Sequence, residues 1–113
     1  FNISLAGAGG FVTALRIATI AQAAGISCLV GTTQELSIGV AAQAMFASVL
    51  ENLDYPSDMT GGLLYRDDVV QERVRYENDY LLVPQGPGVG MMLDEEKLAA
   101  LERPLTSLPV AAW

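Results

Sequence analysis

The chain has 113 residues, 51% of them hydrophobic and only 17% charged, which is enough apolar material for one small core and too much for a disordered segment. With 13 acids, 6 bases and a formal charge of −7, a groove that tracks phosphates is not expected, and nucleic acid is excluded as a partner. The absence of histidine removes Ser-His and Cys-His catalytic pairs and every imidazole metal ligand.

Asn2 to Ala6 is a short apolar run that stops at Gly7, Gly9 and Gly10, so it reads as a strand followed by a loop. Phe11 to Ala24 is rich in helix formers. Its polar residues Thr13, Arg16, Thr19 and Gln22 recur every three positions, which predicts a helix with one narrow wet face and the remainder buried. Gly25 is placed to end that helix. Ile26 to Val30 is a second strand, containing the single cysteine, Cys28, which excludes an internal disulfide and fits a reducing, cytoplasmic compartment. Ser37 is positioned to cap a second helix from Ile38 to about Asn52, apolar nearly all round. A third short strand is expected within Leu53 to Asp58. Strand, helix, strand, helix, strand at this spacing means βαβ units and a parallel sheet.

After Gly61 and Gly62 the texture changes. Arg66 to Val70 reads as a charged turn or short helix. Val74 to Tyr76 and Tyr80 to Val83 flank Glu77-Asn78-Asp79 as a hairpin with a short loop. Gln85 to Gly90 is loop, Asp94 can cap a short helix from Glu95 to Leu101, and Pro104 to Trp113 has no clear periodicity. The expected division is 1–65 for the βα units and 66–113 for the hairpin, short helix and tail.

The charges are unevenly placed. Residues 1–53 carry three (Arg16, Glu35 and Glu51), and residues 54–113 carry the other sixteen. The first half therefore reads as interior, or as surface that something else covers, which favours association and a homo-oligomer. A membrane span is not expected, because the uncharged stretch Leu36 to Leu50 has only fifteen residues and includes Ser37, Gln43 and Ser48. The chain opens on Phe1 inside an expected strand, without the basic segment of a signal peptide, and is expected to be cut from a longer one.

Three places carry candidate chemistry. The loop Gly7-Ala8-Gly9-Gly10 between a strand and a helix invites a dinucleotide reading, but the third glycine of that fingerprint falls on Val12 and no acid follows the second strand at Val30-Gly31-Thr32. Gly9 and Gly10 remain candidates for binding a carboxylate or phosphate at the helix start. Glu35 is the only acid between Phe1 and Leu50 and lies just past the second strand, where parallel α/β folds bind ligands. An acid at a helix start, favoured by the dipole, is the plainer reading. Asp58 follows the third strand and would face the same mouth, where two carboxylates can do acid-base work or bind a metal; a loop aspartate capping Thr60 or Gly61 is the alternative. Asp67-Asp68 and Asp94-Glu95-Glu96 read as solvated charges, and Cys28 as an inert buried thiol.

Taken in order, Ala6-Gly7-Ala8-Gly9-Gly10, Ala21-Gln22-Ala23-Ala24-Gly25-Ile26, Gly31-Thr32-Thr33-Gln34-Glu35-Leu36-Ser37-Ile38-Gly39, Ser57-Asp58-Met59-Thr60-Gly61-Gly62-Leu63-Leu64 and Pro84-Gln85-Gly86-Pro87-Gly88-Val89-Gly90-Met91-Met92-Leu93-Asp94 resemble the C-terminal part of the enolase superfamily, in its mandelate racemase/muconate lactonizing branch. The resemblance runs from Asn2 to about Leu101. It implies the last three βα units of a modified (β/α)8 barrel, with a hairpin and helix returning to a capping domain. It also implies an isomerase or lyase acting on a small carboxylate, with Mg²⁺ held by acids earlier in the barrel and stabilising an enediolate formed by loss of an α-proton. No metal ligand is expected in this chain, and its partners would be the remainder of the barrel and the capping domain. By the same resemblance, Asp58 faces the substrate, Glu35 stands at the end of the seventh barrel strand, and Thr32 and Thr33 line the mouth. Ser4 occupies the position of the family's lysine and Gly7 that of a second one, so a lysine-pair mechanism is not expected. A chain of this length cannot close a barrel, which takes ~250 residues, and the isolated chain is expected to be inactive. A non-catalytic α/β module, either a degenerate barrel half or the dinucleotide-binding domain, is the alternative.

Overall fold

The structure is a computed structural model that describes residues 1–102; the expected irregular tail, 104–113, lies outside the described residues. Strand β1 (Asn2–Ile3) pairs in parallel with β2 (Leu29–Val30), in the register Asn2 to Leu29 and Ile3 to Val30. Helices α1 (Leu5–Ala8) and α2 (Phe11–Ala23) connect them. Helix α3 (Ser37–Ala47) leads from β2 to a third extended segment, and α4 (Gly61–Leu64) follows it. Strands β3 (Tyr76–Glu77) and β4 (Tyr80–Leu81) form an antiparallel hairpin, and α5 (Glu95–Leu101) ends the described chain.

The third strand is reduced to two parallel bridges on β2, Cys28 with Leu53 and Gly31 with Asp58. Three residue steps on the β2 side face five on the other, so the segment bulges between its two contacts. Pro56 sits in the bulge with no N–H to give. The Val30 amide, left without a backbone partner there, donates to Ser57 Oγ at 3.0 Å instead. Strand order is nonetheless sequential and parallel, as consecutive βα units require.

The first strand is shorter than expected because Ser4, in extended conformation, caps a helical turn with its hydroxyl accepting from the Gly7 amide at 3.4 Å. Gly9 (φ 79°) and Gly10 then end that turn, their amides donating to the carbonyls of Ala6 and Leu5. Gly25 (φ 68°) ends α2 as anticipated: its amide donates to the Gln22 carbonyl and that of Ile26 to Ala21. Helix α3 stops at Ala47, short of the expected Asn52, and decays through three-residue turns at Val49 and Leu50. Arg66 to Val70 forms no helix; Val70 instead makes an antiparallel bridge with Leu93. The hairpin loop is Asn78-Asp79, both with positive φ (49° and 66°), the two-residue turn whose twist suits paired strands.

The core has two parts. Ile3, Leu5, Ala14, Ala18, Ala21, Cys28, Val30, Phe46 and Ala47 pack between the sheet and helices α2 and α3. Val40 and Ala41, elsewhere on α3, pack against Val74, with Met59, Tyr76, Leu81, Val89 and Met91 around them. Helix α3 is thus covered by the sheet and by the hairpin region, which accounts for its apolar circumference. Helix α2 differs from its expected burial. Only the alanine stripe Ala14, Ala18 and Ala21 is buried, while Phe11, Val12, Leu15 and Ile20 are exposed, the last at 71%. Cys28 is a fully buried free thiol.

Ser37 does not cap α3 from outside; it is the first helical residue, after Leu36. Its side chain and amide are taken by Asp68, at 2.6 Å and 3.1 Å, and Asp68 also accepts from the Val69 amide at 2.8 Å. Asp68 is 4% exposed, so it is a buried structural acid and not the solvated charge the sequence indicated. Its substitution by Ala leaves buried donors unpaired, each a loss of about 1–3 kcal/mol. Asp68→Ala is expected to lower the unfolding free energy by about 3 kcal/mol, read as a lower urea midpoint at unchanged slope, while Asp68→Asn, which keeps an acceptor, loses markedly less.

Candidate functional site

The carboxyl ends of β2 and of the third segment gather the polar side chains singled out in the sequence. The Gly31–Asp58 bridge joins them, with the Asp58 amide donating to the Val30 carbonyl at 3.0 Å. Four residues beyond Gly31, Glu35 precedes α3. Its carboxylate accepts from the hydroxyl of Thr32, from the Thr33 hydroxyl at 2.6 Å, from the Thr33 amide at 3.0 Å and from Gln43 Nε2 at 2.9 Å. Gln34 adopts φ 66° between these donors, its amide donating to the Thr32 hydroxyl at 2.9 Å and its carbonyl accepting from Tyr65 Oη at 2.7 Å. That left-handed turn folds the chain so that Thr32 and Thr33 point back at the acid two or three residues on.

Two glycines make the fit possible. A Cβ on Gly39 would lie 2.5 Å from Glu35 Cβ, and one on Gly61 would lie 2.1 Å from the Glu35 carbonyl oxygen. The second contact packs the start of α4, and with it the Asp58 loop, directly on the Glu35 backbone. Gly62 is similarly confined by Val74 and Ser37. Tyr76 reaches into the same region, its hydroxyl donating to the Met59 carbonyl at 2.6 Å, and burial pushes its ionisation upward.

Asp58 itself is exposed and accepts one hydrogen bond, from the Thr60 hydroxyl at 3.2 Å. Ser4 lies just past the end of β1, half-buried, with its hydroxyl engaged as a helix cap. Gly9 and Gly10 form the end of α1, and their amides are both occupied within that turn. The Gly7–Gly10 segment is therefore a capped helical turn and not the open amide cradle that a dinucleotide pyrophosphate needs, which removes the support for that alternative. A groove of about 580 Å³ lies elsewhere, bordered by Arg75, Leu82, Pro84 and Met91.

Sequence reasoning missed two participants. Gln43 was visible only as a polar residue inside an apolar helix, eight positions after Glu35, with nothing to indicate that it faces that acid. Asp68 reads from the sequence as a solvated charge, since nothing there indicates its buried partner Ser37. Among the described residues, no group of three or more Asp, Glu or Cys side chains is placed to hold a metal ion. No helix of the described residues is long and apolar enough to cross a membrane.

Consecutive parallel βα units with acids and hydroxyls at the carboxyl ends of the strands define a mixed α/β domain. Comparison with known proteins makes this specific. The family described as Enolase C-terminal domain-like matches residues 1–97, and the chain belongs to it. It is 38% identical over 103 residues to muconate cycloisomerase 1-2 of Acinetobacter lwoffii, covering 91% of this chain and 27% of that protein. It is 37% identical over 95 residues to a chloromuconate cycloisomerase of Cupriavidus pinatubonensis, covering 84% and 26%. Among solved structures, 2-chloromuconate cycloisomerase from Rhodococcus opacus 1CP superposes with a TM-score of 0.88 at 36% identity, over 92% of this chain and 28% of that one. Muconate lactonizing enzyme from Pseudomonas fluorescens, complexed with muconolactone, gives 0.87 at 39% identity, over 91% and 28%. The chain thus spans about a quarter of the length of the relatives it matches.

Burial raises the affinity of Glu35 for a proton, but the hydrogen bonds from Thr32 and Thr33 outweigh it and hold the carboxyl below its ordinary value of 4.5. The folded state therefore favours the ionised acid. Its stabilisation is complete above the unfolded value and disappears as pH falls through the lower folded one. Glu35→Gln is expected to flatten part of the acid limb of stability against pH below ~4.5. Urea midpoints measured between pH 3 and 7 in wild type and variant check this.

Proposed function

We propose that this chain supplies the last three βα units, residues 1–65, and the returning hairpin, helix and tail, residues 66–113, of a (β/α)8-barrel cycloisomerase acting on a small unsaturated carboxylate of the muconate class. The observation that carries the reading is the agreement of sequence and shape with muconate and chloromuconate cycloisomerases over nine-tenths of the chain. The order of the strand ends supports it: Glu35, held by Gln43, follows β2, and the exposed Asp58 ends the neighbouring parallel segment at its bridge to Gly31. Barrel closure would also cover the exposed apolar side chains of α2, alone or together with a homo-oligomer contact.

The chemistry proposed is proton transfer at the carbon α to the substrate carboxylate, coupled to opening or closure of a lactone. In it Asp58 contacts the substrate, while Glu35, held by Thr32, Thr33 and Gln43, shapes the mouth and fixes its negative charge. Ser4 cannot act as an amine base, and its hydroxyl is committed to the Gly7 amide. The base is accordingly assigned to a residue of the protein outside this chain. The Mg²⁺ expected for the family is assigned to acids outside the chain as well. A cytoplasmic setting completes the reading.

The test uses the full-length product that carries this sequence, supplied with muconate and with a chloromuconate, and follows lactone formation. Turnover by the full-length protein and none by the 113-residue chain is the expected result. Asp58→Asn in the full-length protein is expected to lower kcat/KM by about 100-fold, of the order of one charged hydrogen bond to the substrate lost. A full-length product inert toward both substrates, or an Asp58→Asn variant within twofold of wild type, overturns the reading.

A further inference from the structure

Gln43 lies on α3 and is 1% exposed, in a helix whose other buried members are small or apolar apart from Ser37. Its Nε2 donates to Glu35 Oε1 at 2.9 Å. Its Oε1 is buried and has no hydrogen-bond partner among the described residues. A buried amide normally settles in the orientation that satisfies both ends, and an orphaned acceptor is costly. Turning this amide over would set its oxygen against the Glu35 carboxylate, oxygen to oxygen. The orientation observed is the one an anion dictates, at the expense of the amide's own acceptor.

Among the described residues, the groups that hydrogen-bond to the Glu35 side chain or pack closely on that residue carry no charge: Thr32, Thr33 and Gln43 by hydrogen bond, and Gly39 and Gly61 by close packing. Of the acids on neighbouring elements, Asp68 is occupied by Ser37 under the start of α3, and Asp58 is exposed at the adjoining strand end. Thr32 and Thr33 belong to the same turn as Glu35 and move with it. Gln43 alone among the hydrogen-bond donors stands on a separate, rigid element buried from two sides. A donor anchored in that way fixes where the carboxylate points as well as its charge.

We propose that Gln43 is a positioning residue of the site, holding Glu35 as an oriented anion at the strand mouth. This rests on the cycloisomerase reading only for its effect on turnover; the orientation and ionisation of Glu35 are properties of the fold.

The test is Gln43→Met in the full-length protein. Methionine approximates the shape of glutamine and removes both the donor and the stranded acceptor, so folding is preserved or improved. Glu35 is followed directly by the carbon-13 signal of its side-chain carboxyl through a pH titration, assigned with Glu35→Gln. The expected result is a titration midpoint displaced upward by at least half a pH unit. In the lactone assay, kcat is expected to fall roughly tenfold with KM nearly constant, as for loss of an interaction that matters in the transition state. Gln43→Asn, too short to span the same gap, should resemble Gln43→Met, and Gln43→Glu should raise the Glu35 midpoint further. An unchanged Glu35 midpoint in a folded Gln43→Met variant overturns the proposal. Should the full-length protein turn over neither substrate, the cycloisomerase reading fails while the titration still decides the role of Gln43.

Discussion

An ionised carboxylate in a charge-poor stretch of chain has to obtain its hydrogen bonds from neutral groups, and the local structure around Glu35 follows from that requirement. Arg16 is the only cation in the first half of the sequence, and it lies on the exposed side of α2 rather than near the acid. Thr32, Thr33 and Gln43 provide the donors in its place. For the two threonines to do so, Gln34 must take a left-handed conformation; for the helix and the next loop to approach, positions 39 and 61 must lack a side chain. One charge thereby fixes a turn, two glycines and a buried glutamine. It also ties the end of β2 to the start of α4, which brings the Asp58 loop alongside.

Helices α2 and α3 show how the same kind of sequence reaches two different burials. Both are apolar, but α3 has cover from the sheet on one part of its surface and from Val74, Tyr76 and Leu81 on another. The Ser37–Asp68 pair clamps its first turn to the segment that leads into that second cover. Helix α2 has a neighbour only along its alanine stripe, where small side chains permit close approach to the strands. Its large side chains point away from that contact and find nothing in the described residues to bury them. In the function proposed, barrel neighbours on its flanks would use them, which fits the relatives, whose chains are more than three times as long.

Much of this was legible in the sequence. The alternation of apolar runs and helical periods gave the order of the parallel units, Gly25 marked a helix end, Asn78-Asp79 lay where a tight hairpin turn was expected, and Asp94 caps α5 through the Lys97 amide at 3.1 Å. The failures have physical causes. A run such as Asn2 to Ala6 looks like strand by composition, but Ser4 can trade ladder bonds for a helical cap, and does. The third strand looked continuous because periodicity does not register a missing N–H at Pro56 or the hydroxyl of Ser57 that replaces a backbone acceptor. Asp68 looked solvated because a sequence shows the charge and not the partner. Gln43 was passed over for the converse reason, being one polar residue among apolar ones whose target stands two turns away on another segment.

The two acids at the strand mouth end in opposite circumstances, and that difference organises the chemistry proposed for them. Glu35 is saturated with hydrogen bonds from groups that cannot move far, so a proton gained there would cost most of those contacts. Asp58 is open to solvent and held by a single hydroxyl. Paired carboxylates acquire distinct roles when their surroundings differ in this way: one serves as a fixed charge, and the other remains available to a ligand. Ser4 sharpens the division. With its hydroxyl accepting from a backbone amide at the end of the first strand, that position offers no amine, so in the function proposed Asp58 is the acid left to engage a substrate and Glu35 the one that sets the field it enters.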